Sequence, residues 1–214
     1  MNQALAQMEQ KKIESAVKAL NANRFDARFV ASREELLKLL GEMVPENAVV
    51  ANGGSFTLEE TGVMDFIRSG RFQFLDRYRT GMTAEEKREI FLRSLNSDWY
   101  FTSANAITMD GQLFNIDGNS NRIAAIAYGP RNVVVIAGAN KLVQDLTEAE
   151  SRVKNWSVAA NCFRLNVHTT GCSLTGKCTD CKSPERMCCN TLISSFQREP
   201  GRVKVFLLPE TLGY

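Results

Sequence analysis

The stretch TGCSLTGKCTDCKSPERMCC, residues 170 to 189, holds five of the six cysteines of the chain. They run Cys172, five residues, Cys178, two residues, Cys181, six residues, Cys188, with Cys189 adjacent. A C-x2-C pair presents two sulfurs to one ion, and flanking cysteines close a four-sulfur cage, which suits a structural zinc or a 4Fe-4S cluster. The spacing matches neither the ferredoxin run nor the paired knuckles common in zinc modules, so it leaves the metal open. Cys172, Cys178, Cys181 and Cys188 are the expected ligands. Cys189, and Cys162 within VAANCFRL, read as packing residues. Lys177, Lys182 and Arg186 would balance the negative charge of bound thiolates, and the only histidine, His168, reads as a structural residue, with His168 or Cys189 in place of one cysteine ligand as the alternative.

Two glycine-bearing loops carry the other chemistry. VVANGGSFTLEETG (49 to 62) reads as strand, glycine-rich turn and helix start, with Gly53 and Gly54 allowing close backbone approach and Ser55 and Thr57 placed to receive phosphate or carboxylate. It has neither the Walker pattern nor the dinucleotide fingerprint, so it does not point to a nucleotide. TSANAITMDGQLFNIDGNSNR (102 to 122) carries Asp110-Gly111, which predicts a two-residue hairpin turn, and a second Asp-Gly at 117 and 118. Together the turns gather Asn105, Asn115, Asp117, Asn119, Asn121 and Arg122. Asn and Asp commonly build turns for their own sake; here the density of amides and the guanidinium fork of Arg122 predict a loop facing an anionic ligand.

GGSFTLEETG, then FTSANAITMDGQLFNIDGNSNRIAAIAYGPRNVVVIAG, then GCSLTGKCTDCKSPERMCCN resemble the lactate-utilisation (LUD) domain family, formerly DUF162, over most of the chain. The resemblance implies a fold related to the sugar-phosphate isomerase and CoA-transferase superfamily. It also implies a part in oxidising L-lactate or a related 2-hydroxy acid to the 2-oxo acid, alongside iron–sulfur partner subunits. That redox kinship tips the cysteine segment toward a 4Fe-4S cluster, with zinc as the alternative. Isomerases of the wider superfamily carry an acid where this chain has Asn105, and an amide cannot shuttle protons as a carboxylate does. Glu59 and Glu60, the nearest acids to a CoA-transfer nucleophile, sit in a helical first turn that already accounts for them. The competing functions are therefore a zinc-stabilised binding or regulatory module for a small anionic metabolite, and an isomerase- or CoA-transferase-like enzyme.

The elements that must position these groups are legible as alternating strands and helices. Ser32 with Glu35, Thr57 with Glu60, Thr83 with Glu86 and Thr147 with Glu150 each show the capping-box spacing ahead of a helical apolar pattern. A further helix fills roughly residues 3 to 22, and another is expected to open at Ser183, where Pro184 suits a first turn. Strands are expected at residues 27 to 30, 48 to 52, 72 to 78, 98 to 104, 112 to 116, 132 to 138 and 203 to 208. Continuous apolar runs such as VVVIA suit strands covered on both faces, so the pattern predicts a three-layer α/β domain with a largely parallel sheet. A single domain over 1 to 214 is expected, with residues 168 to 190 as an inserted cysteine-rich element.

Composition limits the rest. The formal charge is +2, with basic residues spread along the chain, which gives no electrostatic case for nucleic acid. The longest apolar runs are too short for a membrane span. The N-terminal residues lack a secretory h-region, so a cytoplasmic location is expected, where clustered thiols bind metal more often than they form disulfides. No flavin or nicotinamide fingerprint occurs, so such a cofactor would come with a partner. The expected partners are a small anionic substrate, carboxylate or phosphate, and iron–sulfur subunits; the sequence leaves room for a homo-oligomer.

Overall fold

A computed structural model describes residues 3 to 214. Its first half contains α1 (Gln3–Ala22), β1 (Asp26–Phe29), α2 (Arg33–Met43), β2 (Val49–Asn52), α3 (Phe56–Glu60), α4 (Val63–Arg68), β3 (Gln73–Phe74), α5 (Ala84–Ser94) and β4 (Trp99–Thr102). It continues with β5 (Ala106–Thr108), β6 (Leu113–Asp117), α6 (Asn121–Tyr128), β7 (Asn132–Gly138), β8 (Leu142–Val143), α7 (Leu146–Arg152), α8 (Val158–Arg164), α9 (Gly171–Thr175), β9 (Asn190–Ser194) and β10 (Val203–Leu208).

Six strands pair in the order β1-β10-β7-β4-β2-β3, every pair parallel. Parallel strands need both faces covered. Val133, Val135 and Ala137 of β7, with Val203, Val205 and Leu207 of β10, turn to one face and pack with Ile13, Ala16 and Leu20 of α1 and Ala125 and Ile126 of α6. The intervening Val134, Ile136, Phe206 and Leu208 turn to the other, against Leu36 and Leu40 of α2, Leu58 of α3 and Val63, Met64 and Ile67 of α4. This two-sided burial is why those strands read as unbroken apolar runs. The expected parallel α/β architecture is present.

A second, four-stranded sheet, β8-β5-β6-β9, goes beyond that expectation. β5 and β6 form the expected antiparallel hairpin, but its loop has three residues, Met109 to Gly111, closed by the Gly111 N–H to Thr108 O bond and the Thr108 N–H to Gln112 O bond. Gly111 takes φ 85°, and a Cβ there would lie 2.5 Å from Ala19 C of α1, so glycine is required for both conformation and packing. β9 pairs antiparallel with β6. It brings the chain leaving the cysteine segment back alongside the hairpin.

The helix starts are partly shifted. Ser32 caps α2, and Thr83 with Glu86 forms a full capping box on α5. Thr57 lies inside α3, whose N-cap is Ser55, and α7 is capped by Asp145 accepting from Glu148 N–H rather than by Thr147. No helix opens at Ser183: its hydroxyl accepts from Glu185 N–H, and its carbonyl from Arg186 N–H, in a tight turn. The helix of this region is α9, with a capping box between Thr170 and Ser173. The run expected as a strand over 72 to 78 pairs only at Gln73 and Phe74. No helix among the described residues is long and apolar enough to cross a membrane.

Candidate functional site: a lysine cleft at the end of the parallel sheet

In open parallel sheets, ligand sites form beyond the carboxyl ends of the strands. Here β2 delivers Gly53, Gly54 and Ser55, β4 delivers Ser103, and β7 delivers Lys141 through a single 3-10 turn, Ala139–Lys141. Gly138 permits that turn, because a Cβ on it would lie 2.3 Å from Glu210 O. The three segments meet around one nitrogen.

Lys141 is 4% exposed. Its Nζ donates to Thr57 Oγ1 at 2.9 Å and to Ser103 Oγ at 2.8 Å, both neutral acceptors. Burial, and next the positive charges of Arg152 and Arg122, push its pKa down to about 7, with Glu60 opposing weakly. A buried lysine whose described contacts are two hydroxyls is an unusual arrangement, since buried charges are normally paired. The residue sits in ANKLV, immediately after the most apolar strand, and sequence reading passed over it. Its place just beyond the carboxyl end of that strand was the available signal.

Lys141 opens onto a cleft of about 390 Å³. Gly54, Ser55, Thr57, Asn105, Asp117, Asn119, Asn121 and Arg122, all expected as ligand-facing, line it. Gly53 lies behind the wall: a Cβ there would come within 3.0 Å of Arg122 Cγ and Cδ and Thr102 Oγ1, so this glycine makes room for a side chain of the protein itself. Asn115 is also behind the wall, fully buried, with its Nδ2 unpartnered.

The reading of Arg122 as an anion clasp is corrected by its contacts. Nε donates to Asp117 Oδ1 at 2.8 Å, Nη1 to Ser103 O and Asn115 Oδ1, and Nη2 to Asn105 Oδ1 and Ile116 O, both at 2.8 Å. A guanidinium has five N–H donors, and all five are taken. Asp117 is likewise engaged, accepting from Arg122 N–H and Ile123 N–H at 3.1 Å, which places its carboxylate at the start of α6. The polar turn is thus a buried clamp that fixes the cleft wall and contributes Asn119 and Asn121 to its surface.

The opposite wall comes from a π-helical turn, Val153–Ser157, that joins α7 to α8. Such turns re-aim side chains within a helix; this one carries Ser157, Val158 and Asn161 into the cleft. Arg152, just before it, donates to Asn105 O and Ser157 Oγ, each at 2.8 Å, and ties the two walls together. At the cleft edge, the Arg77 guanidinium stacks 4.5 Å from the Phe91 ring centroid, and its Nε has no hydrogen-bond partner among the described residues. Arg77 also borders an adjoining hollow of about 910 Å³ beside α5.

The four cysteines expected as ligands do not converge. Cys162 and Cys172 are buried with their sulfurs 3.6 Å apart, and Thr170 Oγ1 lies 3.3 Å from the second. Burial pushes the Cys162 thiol up to about 11. Cys188 packs against the same apolar group, and its sulfur accepts from Arg186 Nη2. Cys178 accepts from Asp180 N–H; Cys181 is held below its usual pKa by the N–H groups of Gly171 and Ser183; Cys189 is exposed. Among the described residues no group of three or more His, Cys, Asp or Glu is placed to hold a metal ion. The four expected ligands do not fit a cluster or a zinc ion in this arrangement. Instead, Cys162, expected only to pack, is the close neighbour of Cys172, and His168 is exposed. The segment also reaches the cleft, because Pro184, Glu185, Arg186 and Met187 form part of its rim.

Comparison with known proteins agrees with this architecture. A search of curated proteins finds no match. The crystal structure of a DUF162 family protein from Deinococcus radiodurans superposes with a TM-score of 0.51 at 12% identity, covering 94% of this chain and 98% of that one, which shows a shared fold. The LUD domain model matches residues 13 to 208. The chain belongs to the LUD domain family.

Proposed function

We propose that the cleft around Lys141 binds a small organic anion of the 2-hydroxy or 2-oxo acid class, and that through it the chain takes part in oxidising L-lactate or a related 2-hydroxy acid, with an iron–sulfur partner subunit as electron acceptor. The observation that carries this reading is the buried ammonium of Lys141, whose described contacts are neutral hydroxyls, in a polar cleft. A carboxylate entering the cleft supplies the missing counter-charge, while the hydroxyls and amides around it match a hydroxyl or carbonyl on the neighbouring carbon. The volume, and the adjoining hollow, exceed what a three-carbon acid fills, which favours a longer acid of the same class. Titration calorimetry with L-lactate, pyruvate and branched longer homologues tests the reading. Saturable binding that Lys141→Met abolishes is the expected result, and binding equal in both proteins contradicts it.

A second reading keeps a metal on the cysteine segment. Cys172, Cys178, Cys181 and Cys188 would have to be drawn together from their present positions to hold a 4Fe-4S cluster or zinc. What favours it is that Cys181 already accepts two amide N–H groups, a setting that stabilises thiolate. Iron, sulfide and zinc analysis after anaerobic reconstitution decides between them: metal bound in the natural chain and lost in Cys178→Ser supports this reading, and a metal-free protein removes it.

A further inference from the structure

Besides attracting a carboxylate, the nitrogen at the base of the cleft is placed to react. We infer that Lys141 condenses with the carbonyl of a bound 2-oxo acid to form an imine. This rests on the anion-binding reading above and names the reacting atoms within it.

Three features carry the inference. Nζ donates to Thr57 Oγ1 and Ser103 Oγ at 2.9 and 2.8 Å, which leaves one further tetrahedral position on the nitrogen, the site of the lone pair in the neutral amine. Among the described residues no carboxylate hydrogen-bonds or ion-pairs with the nitrogen to hold its proton; the charged groups that act on it are Arg152 on α7 and Arg122 on α6, which disfavour the ammonium, and Glu60 on α3, which weakly favours it. In the free protein the amine is therefore available as a nucleophile near neutral pH, the activation that desolvation and neighbouring cations give to reactive lysines; because a bound carboxylate favours the ammonium, the reacting fraction is the one in which the acid meets Lys141 already neutral. Two hydroxyls within hydrogen-bond distance can also relay a proton between the nitrogen and the carbonyl oxygen.

The step balances without a co-reactant. The lone pair of Nζ attacks the carbonyl carbon, and the C=O π pair moves to oxygen. A proton passes from nitrogen to that oxygen through the Thr57 or Ser103 hydroxyl, giving a carbinolamine. A proton relayed back through the same hydroxyls lets the carbinolamine hydroxyl leave as one water while the nitrogen lone pair forms C=NH+. The iminium N–H then returns that proton, leaving C=N with no net proton consumed and no change of oxidation state. An L-lactate molecule, having no carbonyl, binds without reacting.

The test treats the full natural chain with pyruvate and cyanoborohydride, then maps the reduced product, N6-(1-carboxyethyl)lysine, by peptide mass spectrometry. Near pH 7.5 an exposed lysine is neutral in only roughly one molecule in a thousand, so Lys141 is expected to label at least ~10-fold faster than any other lysine despite its burial. L-lactate should slow that labelling, and the rate should climb from pH 6 to pH 8. Calorimetry on the same preparation separates the two readings. Lactate binding with Lys141 labelled no faster than surface lysines overturns the imine and leaves anion binding intact. Absence of both overturns both. Fast labelling of Lys141 without lactate binding upholds the imine and removes the 2-hydroxy acid from the ligand class.

Discussion

The lysine cleft and the cysteine segment share a rim, yet they are held by opposite kinds of contact. Lys141 reaches Thr57 across 84 positions of sequence and Ser103 across 38, and Arg152 reaches Asn105 across 47. In the cysteine segment the bonds are mostly short-range: Thr170 with Ser173, Thr175 with Gly171, and Arg186 with the carbonyls of Cys181 and Cys188. Long-range contacts make the cleft a product of the whole sheet, so its geometry is set before a ligand arrives. Among the described residues these local turns leave the four expected sulfurs ungathered. A centre in that segment would need a metal, or a partner, to supply the convergence that the sheet supplies to the cleft.

This contrast can be broken most severely at Arg122. Arg122→Leu removes a cation from five acceptors and leaves the largely buried Asp117 without its ion-pair partner. Loss of one member of a buried ion pair costs about 3–5 kcal/mol, and at this chain length each kcal/mol lowers the melting temperature by roughly 2–4 °C. Thermal unfolding reads the loss directly, and a drop of only a degree or two would mean that the clamp does not hold the cleft wall.

Lys141→Met sharpens the contrast through pH. The folded pKa of Lys141 is about 7, below its ordinary value of 10.5. Between these values the unfolded chain holds a proton that the folded protein lacks, so stability rises with pH by up to about 1.4 kcal/mol per unit for this one group. Below pH 7 both states are charged and the full burial cost is present. Urea unfolding at pH 7, 8 and 9 should show this rise in the natural chain relative to Lys141→Met, whose difference curve would otherwise stay flat.

The smallest effect belongs to the other region. Cys178 is half-buried in a loop, and its sulfur accepts one amide N–H. In metal-free protein Cys178→Ser should change stability by no more than about 0.5 kcal/mol. A larger loss on urea unfolding would show that the thiols are coupled beyond their local turns.

How far the sequence revealed this arrangement follows the same division. The parallel sheet was legible because VVVIAG throughout, and VKVFLL at every position but Lys204, are apolar, as strands covered on both faces tend to be. α6 was hidden because Asn121 and Arg122, its first residues, look like the tail of an Asn-rich turn. β9 was hidden for a related reason: NTLIS is a half-exposed edge strand with little apolar content. The loop residues around Arg122 were found, but their role was misjudged. Composition shows that a guanidinium and several amides are near one another, whereas only coordinates show that they satisfy each other. For Lys141 the position just past the apolar strand was a signal of place alone, since its significance lies in the company it lacks, which no local spacing encodes.

The central claim is that Lys141 keeps its amine unpaired by any acid until an anion enters the cleft. Nitrogen-detected NMR of 15N-lysine protein, with the Lys141 signal assigned by its loss in Lys141→Met, tests this most directly. The account predicts a titration midpoint near 7 in the free protein, moving upward when L-lactate or a longer 2-hydroxy acid is added. A midpoint in the ordinary lysine range, or one that no such acid displaces, would contradict it.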